Sequence, residues 1–203
     1  MAKKLILFDL DGVIIDSKSN MEFSWQKTCE KFNIQIPFNN YFELIGRPFK
    51  DILEILEINS LQNDIEITFN KISSENMSMI SFYDQAVSVL QKIKLKGDSI
   101  GIVTSKHHLK TKKILNQISV NFDVIETPNE NLCGKPAPDH LFNAMKILEI
   151  DAEDTIYIGD MQVDYESAKS ANIKYFHALW GYGSCSDKSI IKLKKISDLI
   201  DFI

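Results

Sequence analysis

Short runs rich in Ile, Val and Leu recur along this chain and stop at polar residues. They are KLILF (4–8), SIGIVTS (99–105), FDVIET (122–127), TIYIGD (155–160) and KYFHAL (174–179). Strands covered on both faces read as continuous apolar runs of this kind. Between them, 84–96, 106–117, 138–149 and 163–172 space their apolar residues as helices do. Strands alternating with single helices predict a parallel sheet in a doubly wound α/β domain.

Residues 15–83 break this alternation. NMEFSWQKTCEKFNI (20–34), RPFKDILEILEI (47–58) and DIEITFNKISSENM (64–77) are amphipathic with a helical period, and no strand is expected among them. Pro37 and Asn39–Asn40 punctuate the first two helices, and INSLQND (58–64) the later ones. The expected architecture is an α/β core built from 1–14 and 84–203, interrupted after its first strand by a small helical domain at 15–83.

In an open parallel sheet, ligands bind beyond the carboxyl ends of the strands. The first strand ends in Asp9 and Asp11, which repel each other and are costly to bury without a partner. GIVTSK ends in Thr104 and Ser105, TIYIGD ends in Asp160, and the next loop adds Asp164. The loop CGKPAPD (133–139) presents Lys135 between Gly134 and Pro136. Carboxylates this crowded predict a hard divalent cation, Mg2+, which offsets their repulsion.

A carboxylate nucleophile, Mg2+, a lysine and a hydroxyl suit phosphoryl transfer, which depends mostly on positioning and charge neutralisation. On this reading Asp9 attacks phosphorus, and Asp11 protonates the leaving oxygen and later activates water. Gly12 lets the chain turn away from the strand. Thr104, Ser105 and Lys135 hold the phosphoryl group, and Asp160 binds the metal with Asp164 beside it. Asp164 is also placed to cap the helix that follows.

Composition narrows the partners. A net charge of −5 argues against nucleic acid. The basic run KLKK (192–195) reads as a solvated helix face. Cys29, Cys133 and Cys185 form no C-x-x-C pair, which fits a reducing compartment, and Cys133 reads as a small buried filler. The apolar run before Asp9 is too short for a signal peptide, and no run is long enough to span a bilayer. A cytoplasmic protein with no membrane partner is expected. His107 and His108 read as a solvated first turn, and the aromatic residues between Phe23 and Phe49 as packing within the helical insert.

FDLDGVIIDS, VTS, GKPAPD and GDMQVD resemble, in order, the four motifs of the haloacid dehalogenase superfamily, and most closely its phosphoglycolate phosphatase branch. The resemblance spans the whole chain, because the helical insert sits where that branch carries an α-helical cap. It implies Asp9 as nucleophile and Asp11 as acid/base, with Asp11 also offering Mg2+ a backbone carbonyl. It further implies Thr104 as the hydroxyl of the second motif, Lys135 as the lysine of the third, and Asp160 and Asp164 as metal carboxylates. Such a cap recognises the substrate beyond its phosphate, which draws attention to Arg47 and Lys50 in IGRPFKDIL (45–53). WGYGS (180–184) resembles a late glycine-rich loop near the site.

The implied activity is a Mg2+-dependent phosphatase acting on a small phosphorylated metabolite through an aspartyl-phosphate. A phosphomutase of sugar phosphates shares the same core residues, and a non-enzymatic binding protein on this scaffold is a further alternative. Dehalogenases and phosphonate hydrolases of the superfamily typically lack the second aspartate, which Asp11 supplies here.

Overall fold

The apolar run at the start of the chain serves two cores at once. In β1 (Leu5–Phe8) all four residues are fully buried. Ile6 and Phe8 enter one hydrophobic cluster, while Leu5 and Leu7 enter another. A strand lined on both faces has no position left for a polar residue until it ends. Each such burial contributes roughly 1.5–3 kcal/mol.

The computed structural model describes residues 3–203. After β1 come β2 (Ile15–Asp16), α1 (Lys18–Phe32), α2 (Phe38–Phe42), α3 (Phe49–Ile55), α4 (Gln62–Glu75) and β3 (Ser81–Phe82). The alternating part follows as α5 (Ala86–Leu95), β4 (Ser99–Val103), α6 (His108–Leu115), β5 (Val124–Glu126), α7 (Asp139–Leu148) and β6 (Thr155–Gly159). It closes with α8 (Gln162–Ser170), β7 (Lys174–Ala178) and β8 (Ile191–Leu193).

Among the described residues, six strands form a parallel sheet in the order β5-β4-β1-β6-β7-β8. The cluster on one face takes Val89, Leu90 and Ile93 of α5 and Ile114 and Leu115 of α6. The cluster on the other takes Leu141 and Met145 of α7 and Ala168 of α8. The fold is therefore a doubly wound α/β sandwich. From β1 the chain fills one side of the sheet and then crosses to the other, so the switch point lies at the carboxyl end of β1.

The helices α1–α4 share a third cluster, centred on Trp25, Tyr41, Leu53 and Phe69. Trp25 stacks on Tyr41 with ring centroids 4.5 Å apart, and its indole N–H donates to the Ile36 carbonyl at 3.0 Å.

Three expectations are corrected. The legs of the insert do form strands: Ile15 pairs with Phe82 and Asp16 with Ser81, antiparallel. Asn39–Asn40 lie inside the short helix α2 instead of punctuating two helices. KLKK falls in and after the edge strand β8, where Leu193 is buried and the lysines are exposed. Alternation with period 2 is the strand signature, and it was masked by the lysines' charge. Among the described residues, no helix is long and apolar enough to cross a membrane.

Candidate active site

β1 lies between β4 and β6 in parallel register, with Phe8 opposite both Ile102 and Ile158. The residues that follow these three strands therefore meet at one edge. The Asp9 N–H still donates to the Ile158 carbonyl at 2.8 Å, which fixes where its side chain leaves the sheet. The chain then turns back at once, with the Ile14 and Ile15 N–H groups both donating to the Leu10 carbonyl at 3.0 Å. Gly12 makes the turn possible: its φ is +82°, and an added Cβ would lie 2.1 Å from Asp160 Oδ2.

Lys135 reaches this edge from the loop before α7. Its ammonium donates to Asp9 Oδ1 at 2.8 Å and to Asp164 Oδ1 at 2.7 Å, and it lies 5.4 Å from the Tyr157 ring centroid. Burial disfavours the lysine's charge, but Asp164 and Asp9 outweigh it and hold the amine above its usual range. Asp9 moves the other way. Burial, only partly countered by Lys135 and reinforced by Asp164 and Asp11, pushes its carboxyl up to about 7.

Asp164 does two jobs. Its Oδ1 takes Lys135 and lies 3.0 Å from the Tyr157 hydroxyl, while its Oδ2 accepts the N–H groups of Asp160 and Met161 at 3.2 and 3.0 Å. It thus caps the start of α8 while closing the carboxylate cluster.

Asp160 is fully buried. Its Oδ2 accepts the Tyr182 N–H at 2.7 Å, but its Oδ1 has no hydrogen-bond partner in the protein. A buried carboxylate oxygen left unpaired is expensive and asks for a ligand. Burial, followed by repulsion from Asp164 and Asp9, holds this acid well above the usual carboxylate range. Asp9, Asp160 and Asp164 bring ligand oxygens within 4.8 Å of one another. An all-oxygen, anionic donor set with an orphaned oxygen fits a hard divalent cation.

Asp11 is not part of this trio. Its Oδ1 is paired with Lys106 at 2.9 Å and also accepts the Ser17 hydroxyl. Burial works against its charge, yet Lys106, Ser17 and Lys110 together hold it below the ordinary value. Thr104 is buried beside it, with its N–H on the Glu126 carbonyl at 3.1 Å and its hydroxyl accepting the Lys106 N–H at 3.1 Å. The Ser105 hydroxyl is committed elsewhere, donating to the Gly46 carbonyl at 2.6 Å.

That last bond ties the sheet edge to the loop of the helical insert. Pro48 lies against Gly134, where an added Cβ would come within 2.3 Å of its Cγ. Between the two units lies a cavity of about 650 Å³ whose lining includes Asp9, Asp11, Thr104, Arg47, Lys50 and Lys106. Tyr41, Phe49 and Phe69 also face it from the insert, so those rings serve both packing and lining. Deeper, Lys110 is buried and donates to Asn20 Oδ1 at 3.3 Å and to the Ser73 hydroxyl. Burial and the neighbouring Lys106 pull its amine down to about 6.

Several participants escaped the sequence reading. Lys106 directly follows the second motif, so proximity alone was the available signal. Tyr157 was hidden within an apolar run, and Ser17 and Lys110 carry no local signature. His107 is exposed, but His108 Nδ1 lies 3.0 Å from the Thr127 hydroxyl. Cys133 is exposed, which corrects the buried-filler expectation: its N–H caps onto Asp139 Oδ2 at 3.0 Å while its side chain stays outside the core.

Comparison with known proteins identifies the family and the fold. The family model for haloacid dehalogenase-like hydrolases matches residues 6–178. A phosphoglycolate phosphatase of Aquifex aeolicus is 28% identical over 202 residues, covering 97% of this chain and 95% of that protein. The pyrophosphatase PpaX of Oceanobacillus iheyensis is 24% identical, covering 100% of this chain and 98% of its own. Among solved structures, a hydrolase from Pseudomonas syringae superposes with a TM-score of 0.86 at 20% identity, over 99% of this chain and 97% of that one.

Proposed function

Since the chain belongs to the haloacid dehalogenase-like hydrolases, we propose that it is a Mg2+-dependent phosphatase that cleaves a small phosphorylated metabolite through an aspartyl-phosphate on Asp9. Its phosphatase relatives make it a hydrolase of phosphoric monoesters. The metal, the substrate and the residue roles are the proposal. The observation that carries it is Asp9 held by Lys135 beside the orphaned oxygen of Asp160, at the floor of a cavity.

Asp9 and Asp160 would hold the cation, with Asp164 behind them and the Asp11 main chain at the edge. When bound, Mg2+ supplies positive charge that neutralises the carboxylates and the phosphoryl oxygens. Lys135 occupies Oδ1 of Asp9 and leaves Oδ2 free to attack phosphorus. As that bond forms, the ester P–O bond breaks and Asp11 gives a proton to the departing oxygen. Water then attacks the same phosphorus, its proton passes to Asp11, and the P–O bond to Asp9 breaks to release phosphate. Thr104 donates to a phosphoryl oxygen, as does the main chain at Ser105, whose hydroxyl is already used.

The helices α1–α4 act as the cap within the 15–83 insert, and the Gly46–Ser105 and Pro48–Gly134 contacts describe it seated on the core. Seating excludes bulk water from the intermediate, and lifting releases product. Arg47 and Lys50 face the cavity from the cap and would meet an anionic or polar group beyond the phosphate. The relatives' names, phosphoglycolate phosphatase and pyrophosphatase, support a substrate with a second anionic group. Three free cysteines support a reducing, cytoplasmic setting.

The test is phosphate release from a panel that includes 4-nitrophenyl phosphate, phosphoglycolate, pyrophosphate and sugar phosphates, with and without Mg2+. Hydrolysis without a bisphosphate activator supports the phosphatase over a phosphomutase. Retained turnover in Asp9→Asn, with folding intact, would remove Asp9 as nucleophile.

A further inference from the structure

We propose that His140, held by Glu126, is a second recognition point in the cleft, where its Nε2 accepts a hydrogen bond from a hydroxyl on the part of the substrate beyond the phosphate. The inference rests on the reading of the cavity as a phosphatase site.

The pair stands one strand over from Thr104. Glu126 ends β5, and its carbonyl accepts the Thr104 N–H at 3.1 Å, which ties the two strand ends together. Its side chain is buried with both oxygens engaged. Oε1 accepts the Asn143 amide at 2.8 Å, and Oε2 lies 2.9 Å from His140 Nδ1. His140 and Asn143 sit one turn apart at the start of α7, so neighbouring positions on one helix face grip the same carboxylate.

That grip sets what the ring offers. An ionised carboxylate only accepts hydrogen bonds, so it draws the imidazole proton to Nδ1 and leaves a lone pair at Nε2 of the neutral ring. A buried carboxylate behind an imidazole fixes tautomer and orientation together in this way. Among the described residues Nε2 has no hydrogen-bond partner, and it is not sealed inside the protein as Asp160 Oδ1 is. His140 instead lines the cavity, on the core wall it shares with Pro128, Asn129 and Leu132. A pair that served only to tie α7 to β5 would have no use for an open ring nitrogen at the cleft.

The cavity, at about 650 Å³, has room for more than a phosphoryl group. Arg47 and Lys50 approach it from the cap with positive charge, whereas His140 brings an acceptor from the core. The substrate class that fits is a phosphate ester bearing a hydroxyl. His140 touches no reacting atom and exchanges no proton with the ester; it sets specificity.

One test needs no variant. Nitrogen NMR of the isotope-labelled imidazole in mildly alkaline buffer should find the ring proton on Nδ1 and Nε2 bare. Kinetics then compare glycerol 1-phosphate with propyl phosphate, which has the same carbon chain and no hydroxyl. Loss of a hydrogen bond that leaves a polar group unpaired costs about tenfold, so His140→Phe should lower kcat/KM about tenfold more on glycerol 1-phosphate than on propyl phosphate, through KM. His140→Gln puts a carboxamide oxygen near the place of Nε2 and should recover most of that difference. Glu126→Gln lets Nδ1 accept, moves the ring proton to Nε2 and should give the same selective loss, which decides the matter if His140→Phe does not fold. A proton on Nε2 in the unaltered protein, or equal losses on the two esters in the folded variants, overturns the subsite alone. So does an unaltered enzyme that hydrolyses 4-nitrophenyl phosphate without preferring glycerol 1-phosphate to propyl phosphate. An unaltered enzyme inactive on all three esters overturns the phosphatase reading, and the subsite with it.

Discussion

Replacing Asp160 by Asn should make the metal-free protein more stable while destroying its function. Asp160, Asp9 and Asp164 place ligand oxygens within 4.8 Å of one another in a buried site. Two unit charges at that separation repel by about 3–4 kcal/mol at an effective dielectric constant near 20. Lys135 offsets roughly one of the two neighbouring charges, which leaves about 3 kcal/mol acting on Asp160. Asn keeps an acceptor for the Tyr182 N–H and adds an amide that can donate to a neighbouring carboxylate. Because the native acid escapes part of the repulsion by taking up a proton, the expected gain at pH 7.5 in EDTA is about 1–3 kcal/mol.

The pH dependence carries a definite sign. Asp9 and Asp160 bind protons more tightly folded than unfolded, so their contribution to stability is complete below the ordinary carboxylate value of 3.8. It is lost as pH rises, through about 7 in the case of Asp9. The advantage of Asp160→Asn should therefore widen between pH 5 and pH 7.5. Mg2+ should stabilise the unaltered protein by mass action and leave the variant where it was. Urea unfolding followed by circular dichroism at both pH values measures all of this. A variant less stable than its parent in EDTA at pH 7.5 would refute the crowding argument.

Further outcomes follow from the same contacts. Lys135→Met strands Asp9 and Asp164 without their buried counter-charge, and should cost about 3 kcal/mol at pH 7.5 in urea unfolding as well as activity. Gly134→Ala pushes a Cβ to within 2.3 Å of Pro48 Cγ, so the cap loop must lift. Steady-state kinetics should then show a higher KM, about tenfold, with the melting temperature little changed. Arg47→Ala should raise KM about tenfold for an anionic substrate and much less for 4-nitrophenyl phosphate. An unchanged KM for every substrate turned over would discard Arg47 as a specificity residue.

The sheet was legible because its strands are buried on both faces. Leu5 and Leu7 feed one core and Ile6 and Phe8 the other, so the run cannot alternate and stands out against the amphipathic helices. Where burial is one-sided or the element very short, the signal fades. Ile15–Asp16 and Ser81–Phe82 are too short to show a period, and they pair only because the insert brings its two ends together. β8 is an edge strand with lysines on its open side, which suits an edge and disguises it as a charge run.

The site divides along a similar line. Asp9, Thr104 and Asp160 were readable because each follows a recognisable strand, and parallel register then forces the ends of neighbouring strands to one edge. Partnerships are another matter, since they join residues far apart in sequence. Lys106 reaches Asp11 across 95 positions, and Asp164 reaches Lys135 across 29. The dual task of Asp164 shows why this matters for the chemistry. The N–H groups that fix it at the start of α8 also leave its other oxygen to Lys135, so the capping bonds and the lysine bridge hold one side chain from opposite ends. Asp160 has no such second anchor for its Oδ1. The carboxylate with satisfied oxygens is thus suited to framing the cluster, and the one with an open oxygen to meeting a cation, a division of labour that two aspartates four residues apart do not announce.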